Sequence, residues 1–388
     1  MRIKSISFND TDTKWNLSKV EFNTLTLLVG ASGVGKTQIL EAILRIKSII
    51  KGESYGGTKW NIEFETFDQY NYQWEGEFET KGSSITKFRE IDEDSEKNSP
   101  RIISENLWLN GKLIIERKNG EIIFQGQKTV KLAQDKSALH HLKEEELISP
   151  AFRGFRRIIF SDQVESKKNP RKFNPDFLAV NRILNKYKDI ESIREADENI
   201  ITKLYLAYKN APSIMESIKD RFIDIFPFVK DVRIAPIDFK DIDEAPPLLR
   251  EIPFVQIKEI NVEDWIIQHQ ISSGMYRTLM HLSELYLCPE GTVILIDEFE
   301  NSLGVNCIDE LTMDLQTSSH RNLQFIITSH HPYIINQIHF KNWKLVTRKG
   351  SNVKTRDADK LVDFTKSKQE AFIQLTQLEE FTTGIIEG

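Results

Sequence analysis

The chain has only two cysteines and no long apolar run among its 388 residues. Cys288 and Cys307 have no further cysteine or histidine at metal-ligand spacing, which excludes a zinc-finger type of site and predicts two buried, reduced thiols. No stretch approaches the roughly 20 apolar residues that a transmembrane helix requires. Residues 1–6 alternate like a strand and lack the apolar centre of a signal peptide. These absences predict a cytoplasmic protein without membrane association.

A surplus of positive charge is also absent, since 52 Lys and Arg stand against 58 Asp and Glu, a formal net charge of -6. Only a local basic surface could therefore bind a polyanion. The one candidate is the segment from Arg153 to Lys188, which has ten basic residues and three acidic ones. It forms either a solvated helical face or a contact surface for nucleic acid or an acidic partner.

Internal repeats and long coiled coils are likewise missing. The first third of the chain alternates as strands do, for example in residues 60–67 and 70–78, and Asn119-Gly120 predicts a hairpin turn. From residue 135 to 226 the periodicity is helical, but prolines interrupt it too often for the coiled coil of a chromosome-organising ATPase.

The sequence does contain a glycine-rich loop between an apolar strand, residues 25–29, and a helical pattern, residues 38–50. Glycines allow successive backbone N–H groups to surround a phosphate, and the N-terminus of the following helix favours the same anion. We therefore predict a phosphate-binding loop with the adjoining helix residue: Gly30, Ala31, Ser32, Gly33, Val34, Gly35, Lys36, Thr37 and Gln38.

Two side chains of this loop and two carboxylates carry the expected chemistry. Lys36 should reach the β- and γ-phosphates of a nucleotide, and the Thr37 hydroxyl should bind Mg²⁺. The apolar run 293–296 ends in Asp297 and Glu298, as a buried parallel strand does where it opens on a ligand. Asp297 is predicted to hold Mg²⁺, and Glu298 to orient and polarise the attacking water. ATP and Mg²⁺ are the expected cofactors.

Two further segments complete a recognisable order. Ser272-Ser273-Gly274 precedes a helical run, and on its own would be only a helix cap. A third apolar strand, residues 325–328, leads to His330. The order of loop, Ser-Ser-Gly, Asp-Glu strand and histidine resembles the SMC, RecF and OLD branch of ABC-type ATPases. It resembles most the AAA-labelled ATPases of bacterial anti-phage systems.

This resemblance implies an α/β fold: a P-loop ABC-type ATPase head with an N-terminal antiparallel β-subdomain, a parallel core sheet and a helical insertion. It implies hydrolysis of ATP to ADP and phosphate, with Glu298, His330 and Lys36 as catalytic residues. In this family the glycine-rich loop is called Walker A, the Ser-Ser-Gly segment the signature, the Asp-Glu strand Walker B, and His330 would be the switch histidine. The expected parts are an N-terminal lobe with Walker A and the β-subdomain (residues 1–130) and a helical insertion (131–228). They are followed by a C-terminal lobe with the signature, Walker B and the switch histidine (229–350) and by a tail helix (351–388).

The resemblance also implies assembly. Two heads would pack head to tail, so that ATP on Lys36 and Thr37 of one chain is closed by the signature residues Ser272, Ser273 and Gly274 of another. The chain would then be a homodimer or a higher homo-oligomer with composite ATP sites. Residues 301–304 would form the loop that links the sites.

Several positions depart from the family pattern or leave it incomplete. Ser32 replaces a common asparagine, and Gly304-Val305-Asn306 replaces the His-Pro pair that is frequent after the Asp-Glu strand in this family. Gln69 and Gln73 are both candidates for the Mg²⁺-facing glutamine. Trp15 either stacks on adenine or is a packing residue.

The functional hypotheses differ in what the ATPase acts on or controls. OLD nucleases continue into a metal-binding nuclease domain, whereas the 56 residues after Pro332 show no acidic triad, so we expect no intrinsic nuclease. The leading hypothesis is an oligomeric sensor or switch that controls a separately encoded nuclease or toxin in anti-phage defence. The alternatives are a RecF-like DNA-repair clamp that uses the Arg153 to Lys188 segment, and a scaffold that holds ATP with little turnover.

Overall fold

The computed structural model describes residues 1–80, 99–118, 120–161, 177–236, 253–301, 303–317, 321–361 and 367–385. The chain forms two compact units, each built from separated segments. The first contains Met1–Phe160, Glu290–Phe299 and Ser319–Gly388, and the second contains Ser161–Pro289 and Glu300–Ser318. This division interleaves the four consecutive parts expected from the sequence, because strands far apart in the chain pair in one sheet.

The strands are β1 Arg2–Asp10, β2 Trp15–Glu21, β3 Leu25–Val29, β4 Thr58–Glu65, β5 Asn71–Phe78, β6 Ile102–Leu109, β7 Lys112–Lys118, β8 Glu121–Phe124, β9 Gln127–Lys128, β10 Ile158–Phe160, β11 Val229–Pro236, β12 Pro253–Glu259, β13 Ile266–Ile267, β14 Val293–Ile296, β15 Gln324–Thr328, β16 Trp343–Lys349 and β17 Asn352–Asp357. The helices are α1 Lys36–Ile50, α2 Ala138–His141, α3 Ser149–Arg156, α4 Phe177–Lys186, α5 Ile190–Glu195, α6 Ile200–Asn210, α7 Pro212–Ile225, α8 Ser273–Leu287, α9 Val305–Thr317, α10 Pro332–Gln337, α11 Lys368–Gln377 and α12 Glu379–Thr383. Short 3₁₀ turns occupy Phe340–Asn342 and Ala358–Lys360.

The first unit is organised around one mixed sheet. Its strand order among the described residues is β10-β14-β15-β3-β16-β17-β2-β1-β4-β5-β6-β7-β8-β9. Strands β10, β14, β15, β3 and β16 are parallel neighbours, and β2, β1 and β4 to β9 pair antiparallel. The sheet therefore contains both the parallel core and the antiparallel N-terminal part that the sequence predicts.

Burial explains why the two halves of the sheet differ. Every residue of β3, β14 and β15 is buried, as continuous apolar strands are when both faces of a parallel sheet are covered. In β5 burial alternates, so that Trp74 and Phe78 contact the Trp60 ring. Gly76 lies between them because a Cβ there would be 2.4 Å from that ring. The predicted hairpin forms β7 and β8, with Lys118 opposite Glu121; Asn119 lies outside the described residues.

Parallel pairing brings several loops to one edge of the sheet. In the register, Leu27 of β3 lies opposite Ile327 of β15 and Trp343 of β16, and Ile327 lies opposite Ile296 of β14. Because the carboxyl ends of parallel strands meet at the same edge, the segments after these four strands converge there.

The second unit is mainly helical and also holds a small antiparallel sheet of order β11-β12-β13. Helix α8 is buried along most of its length. Arg221 of α7 forms ion pairs with Glu310 and Asp314 of α9, at 2.7 and 3.0 Å.

The two cysteines and the apolar character of the helices can be compared with the expectations from the sequence. Cys288 and Cys307 are both buried and outside any disulfide, which confirms the prediction of buried thiols. Within the described ranges, no helix combines the length and the apolar character needed to cross a membrane.

Candidate functional site

The loop between β3 and α1 adopts a backbone conformation that depends on glycine. Gly30, Gly33 and Gly35 have φ angles of 140°, 80° and 104°. A Cβ on Gly30 would lie 2.6 Å from the carbonyl oxygen of Val346 in β16, and one on Gly35 would lie 2.9 Å from the Val353 side chain in β17. The loop is therefore tight and closely supported, which suits a backbone cradle for phosphate.

The first two residues of α1 place a cation and a hydroxyl beside this loop. The Lys36 ammonium donates hydrogen bonds to the carbonyl oxygens of Gly30 and Ala31, both at 2.8 Å. Thr37 Oγ1 donates to the Asp297 carboxylate, with distances of 2.9 Å to Oδ2 and 3.1 Å to Oδ1. A helix N-terminus favours anions, so both side chains lie where a phosphate and its metal ion would bind.

Thr328, the last residue of β15, orders the two carboxylates that follow β14. Its hydroxyl donates to Asp297 Oδ1 at 2.5 Å and accepts the Glu298 N–H at 2.8 Å. The Thr328 carbonyl accepts the Phe299 N–H at 3.0 Å. This residue received no role from the sequence, although its position at the end of an apolar strand was a usable clue.

Glu298 combines an exposed side chain with an uncommon backbone. Its φ angle is 44°, in the left-handed region that non-glycine residues rarely adopt. Such strain persists where the surroundings impose it, and it concentrates at functional sites. Here the Glu298 and Phe299 N–H groups donate hydrogen bonds to Thr328, and these bonds hold the turn.

The residues after β15 are also held firmly. Ser329 is buried, donates its N–H to the Leu28 carbonyl at 3.3 Å and accepts the His331 N–H on its hydroxyl at 3.1 Å. His330 between them is exposed. The fixed backbone on both sides presents the His330 ring at the edge of the sheet.

These groups line one open pocket of about 300 Å³. This volume is at the lower end of the range of small-molecule sites, roughly 300 to 1,000 Å³. The lining residues are Ser32, Gly33, Gly35, Lys36, Thr37, Gln38, Asp297, Glu298, Thr328, His330 and Arg348. Of the predicted loop residues, Gly30, Ala31 and Val34 do not line this pocket.

The second unit carries the predicted signature residues at the N-terminus of α8. Ser272 is the N-cap, and its hydroxyl accepts the Met275 N–H at 3.2 Å. Ser272 and Ser273 are exposed, whereas Gly274 is half-buried. A 15-residue helix thus presents an accessible N-terminus, where backbone donors and the helix dipole favour an anion.

Trp15 lines a smaller cavity of about 70 Å³ beside α1, together with Gln38. The ring is buried and packs against Phe8 with a centroid distance of 5.8 Å, which supports the packing interpretation. Within the described part of the chain, Trp15 Nε1 and Gln38 Oε1 are buried without hydrogen-bond partners. A polar ligand beside α1 would satisfy this donor and this acceptor.

The same cavity contains a fixed negative charge, Asp10. Burial raises the pKa of this carboxyl, but hydrogen bonds from Arg45 and Thr13 outweigh burial and lower the pKa below its usual value. The glutamine candidates lie elsewhere: Gln73 belongs to β5, Gln69 to the preceding turn, and neither is among the described residues that line the two cavities.

The C-terminal tail supports the glycine-rich loop, a contact that the sequence did not predict. Gly384 follows α12 with a φ angle of 73°, and its carbonyl accepts the Arg348 N–H at 2.7 Å. A Cβ on Gly384 would lie 2.3 Å from Val34 Cγ1 and 3.2 Å from the Ala31 Cβ. The tail is therefore packed against the back of the loop.

Comparison with known proteins is consistent with this geometry. The family described as "AAA domain, putative AbiEii toxin, Type IV TA system" matches residues 25–336. Comparison with curated protein sequences finds no match.

Among solved structures, an Smc head bound to the C-winged helix domain of ScpA has 12% identity and a TM-score of 0.50, over 92% of this chain and 97% of that one. The SMC head domain from Thermotoga maritima has 14% identity and a TM-score of 0.44, over 92% and 99%. An Smc head with an extended coiled coil from Pyrococcus furiosus, bound to the C-terminal domain of ScpA, has 13% identity and a TM-score of 0.46, over 97% and 99%. The first likeness confirms the predicted α/β P-loop head fold.

The Thr328→Val variant tests whether the hydroxyl orders the metal side of the pocket. Removal of this bond leaves the Asp297 carboxylate less firmly oriented, and loss of such a supporting contact lowers metal affinity by about 10- to 100-fold. We expect this loss in Mg²⁺ titrations followed by Mg²⁺-dependent binding of a fluorescent ATP analogue. Thr328→Ser keeps the hydroxyl and should behave as the wild type. Unchanged Mg²⁺ affinity in Thr328→Val would contradict the role.

Proposed function

The chain belongs to the AAA-domain family described as putative AbiEii toxin of type IV toxin–antitoxin systems, and on this premise we propose that it is an ATP-hydrolysing, oligomeric switch that controls a separate effector in anti-phage defence. The observation that carries the enzymatic part is the meeting of Lys36, Thr37, Asp297 and Glu298 in one pocket. Residues 260 positions apart contribute to it, with the Thr37 hydroxyl bonded to the Asp297 carboxylate.

The residues fit a nucleotide triphosphate with its metal ion. The backbone N–H groups of the glycine-rich loop and the Lys36 ammonium would bind the phosphates. Thr37 and Asp297 offer the oxygen ligands that Mg²⁺ prefers, and the bound ion would neutralise charge on the phosphates.

The remaining groups suit the transfer of the phosphoryl group to water. The exposed Glu298 carboxylate would orient a water molecule and accept its proton, held in place by the bond between its own N–H and Thr328. His330 would contact the terminal phosphate as a hydrogen-bonding side chain.

The exposed N-terminus of α8 supports the composite-site proposal. Ser272, Ser273 and Gly274 would bind the terminal phosphate held by another copy of the chain, through backbone donors and the helix dipole. A homodimer, or a larger ring of such contacts, would then close only around ATP.

A role in defence is supported by the family description, which names a toxin–antitoxin system. Control of a separate nuclease or toxin goes beyond that description and is part of our proposal. The absence of nuclease activity from this chain remains a prediction. Part of the chemistry of defence would then reside in a partner, and the switch would report ATP binding or hydrolysis to it.

The RecF-like alternative depends on the Arg153 to Lys188 segment, of which residues 162–176 lie outside the described ranges. In the described part, Arg153 forms an ion pair with Asp68 at 3.7 Å, and Arg157 lies over the Phe67 ring. These intrachain contacts favour a structural role for both arginines.

Two variants separate binding from hydrolysis. Lys36→Ala should weaken ATP binding by on the order of 100-fold, because charged hydrogen bonds to phosphate are lost. Glu298→Gln should keep wild-type binding and slow turnover about 100-fold or more, the scale of general-base help. Equilibrium binding and phosphate release measure the two effects. A Lys36→Ala protein with wild-type affinity would refute the phosphate loop, and full turnover in Glu298→Gln would refute the assigned base.

A mixing experiment tests the composite site. Lys36→Ala impairs phosphate binding by the loop. Ser273→Glu places a negative charge at the α8 N-terminus without disturbing the Ser272 cap. Each variant alone should lack ATPase activity. An equimolar mixture should regain about a quarter of the wild-type activity, since half of randomly formed dimers are mixed and each has one intact site. Ser273→Ala is the control and should stay active; no recovery in the mixture would argue against sharing.

Affinity purification distinguishes the effector switch from the DNA clamp. The Glu298→Gln protein is expressed with its neighbouring genes and isolated in ATP, with Lys36→Ala as the control in which ATP binding is weakened. We expect a stoichiometric nuclease or toxin with Glu298→Gln, identified by mass spectrometry. A homodimer that retains DNA instead, with binding that falls steeply with salt, would support the RecF-like alternative. If neither an effector protein nor DNA is isolated and the wild type hydrolyses ATP slowly, the scaffold hypothesis would be supported.

A further inference from the structure

Arg348 lies at the nucleotide pocket although no sequence motif includes it. It is the sixth residue of β16, which runs parallel to β3 with Leu345 opposite Val29, so both strands end at the same edge. Its guanidinium donates from Nη1 to the Gly33 carbonyl at 3.4 Å, and its side chain lines the pocket with Asp297.

The charges of the pocket indicate what this side chain could bind. Among the described lining residues, Lys36 and Arg348 are the cations, and Asp297 and Glu298 are the anions. Lys36 alone would leave a net negative set of side chains, which repels a polyphosphate. With Arg348 included, the formal charges of these four side chains sum to zero, without any contribution from Mg²⁺.

The backbone of Arg348 is fixed on both sides. Its N–H donates to the Gly384 carbonyl of the tail at 2.7 Å, and Arg348 lies opposite Val353 in β17. The guanidinium has five N–H donors; Nε bonds to the Gly350 carbonyl and Nη1 to Gly33. Its planar fork suits phosphate oxygens better than a single ammonium does.

We propose that Arg348 is a phosphate-binding residue of the ATP site in its own chain, which acts on the terminal phosphate. The assignment rests on the proposed function, since it requires a nucleotide in the pocket. The terminal phosphate is the target because Arg348 shares the pocket with Glu298 and His330, the groups that would serve the phosphoryl transfer. Discrimination of ATP from ADP would therefore depend on this side chain.

A purely structural role is the competing explanation. The bonds to Gly33 and Gly350 could serve only to tie the glycine-rich loop to the turn after β16. That role predicts a less stable protein and an equal loss of affinity for ATP and ADP. The phosphate role predicts unequal losses and an unchanged melting temperature without nucleotide.

The experiment compares the affinity of the wild type, Arg348→Ala and Arg348→Lys for ATP and ADP by calorimetry in Mg²⁺, together with thermal melting of the nucleotide-free proteins. Arg348→Ala should bind ATP about 10-fold or more weakly, the scale of a lost charged hydrogen bond, and ADP nearly as the wild type. Arg348→Lys should be intermediate, because it keeps the charge without the fork. Lys354→Ala is the matched control: it removes an exposed cation from neighbouring β17 and should change neither affinity.

Each outcome decides between the two explanations. Wild-type ATP affinity in Arg348→Ala, or equal weakening of ATP and ADP with a lower melting temperature, would overturn the proposal. If the wild-type protein itself bound neither nucleotide, the proposed function would fail, and the assignment of Arg348 with it. A wild type that binds ATP, together with an Arg348→Ala variant whose affinities for ATP and ADP are both unchanged or fall equally, would refute only the role of Arg348.

Discussion

The site depends on two hydrogen bonds that meet at the Asp297 carboxylate, which accepts one from the Thr37 hydroxyl and one from the Thr328 hydroxyl. Thr37 and Asp297 belong to segments that follow β3 and β14, and Thr328 is the last residue of β15. The three residues meet because these strands are parallel neighbours. A change in strand order would separate the Thr37 hydroxyl from the carboxylate that accepts its hydrogen bond. The pocket is thus a product of the sheet, and the buried apolar strands that form the core also position the chemistry.

Close packing behind the glycine-rich loop has a comparable importance. The loop is confined by the Val346 carbonyl in front of Gly30, by Val353 beside Gly35 and by Gly384 against Val34. A loop that is already shaped loses little conformational entropy when it binds a ligand, so the support favours binding. The C-terminal tail and β16 are part of this support, in which Gly384 packs against the glycine-rich loop near the beginning of the chain.

Sequence patterns predicted the parts of the site that depend on local chemistry. Gly30 to Thr37, Asp297, Glu298 and His330 stand in short motifs after apolar strands, and the structure brings all these segments to one edge of the sheet. Thr328, Arg348 and Gly384 were not assigned, because a threonine at a strand end, an arginine in a strand and a glycine after a helix are common everywhere. Their roles arise only from what lies opposite them, and that is decided by strand pairing and packing.

The amino-acid sequence by itself predicted the glycine-rich loop with its lysine and threonine and the pair of carboxylates, since each depends on spacing within a few residues. It predicted the fold class through the family resemblance that these motifs carry. Tertiary structure decided which loops share a pocket and which backbone groups support them. The physical reason is that hydrogen bonds between Thr37 and Asp297, or between Arg348 and Gly384, join residues whose distance in the chain carries no local pattern. Only the parallel sheet and the docked tail bring such residues within bonding distance.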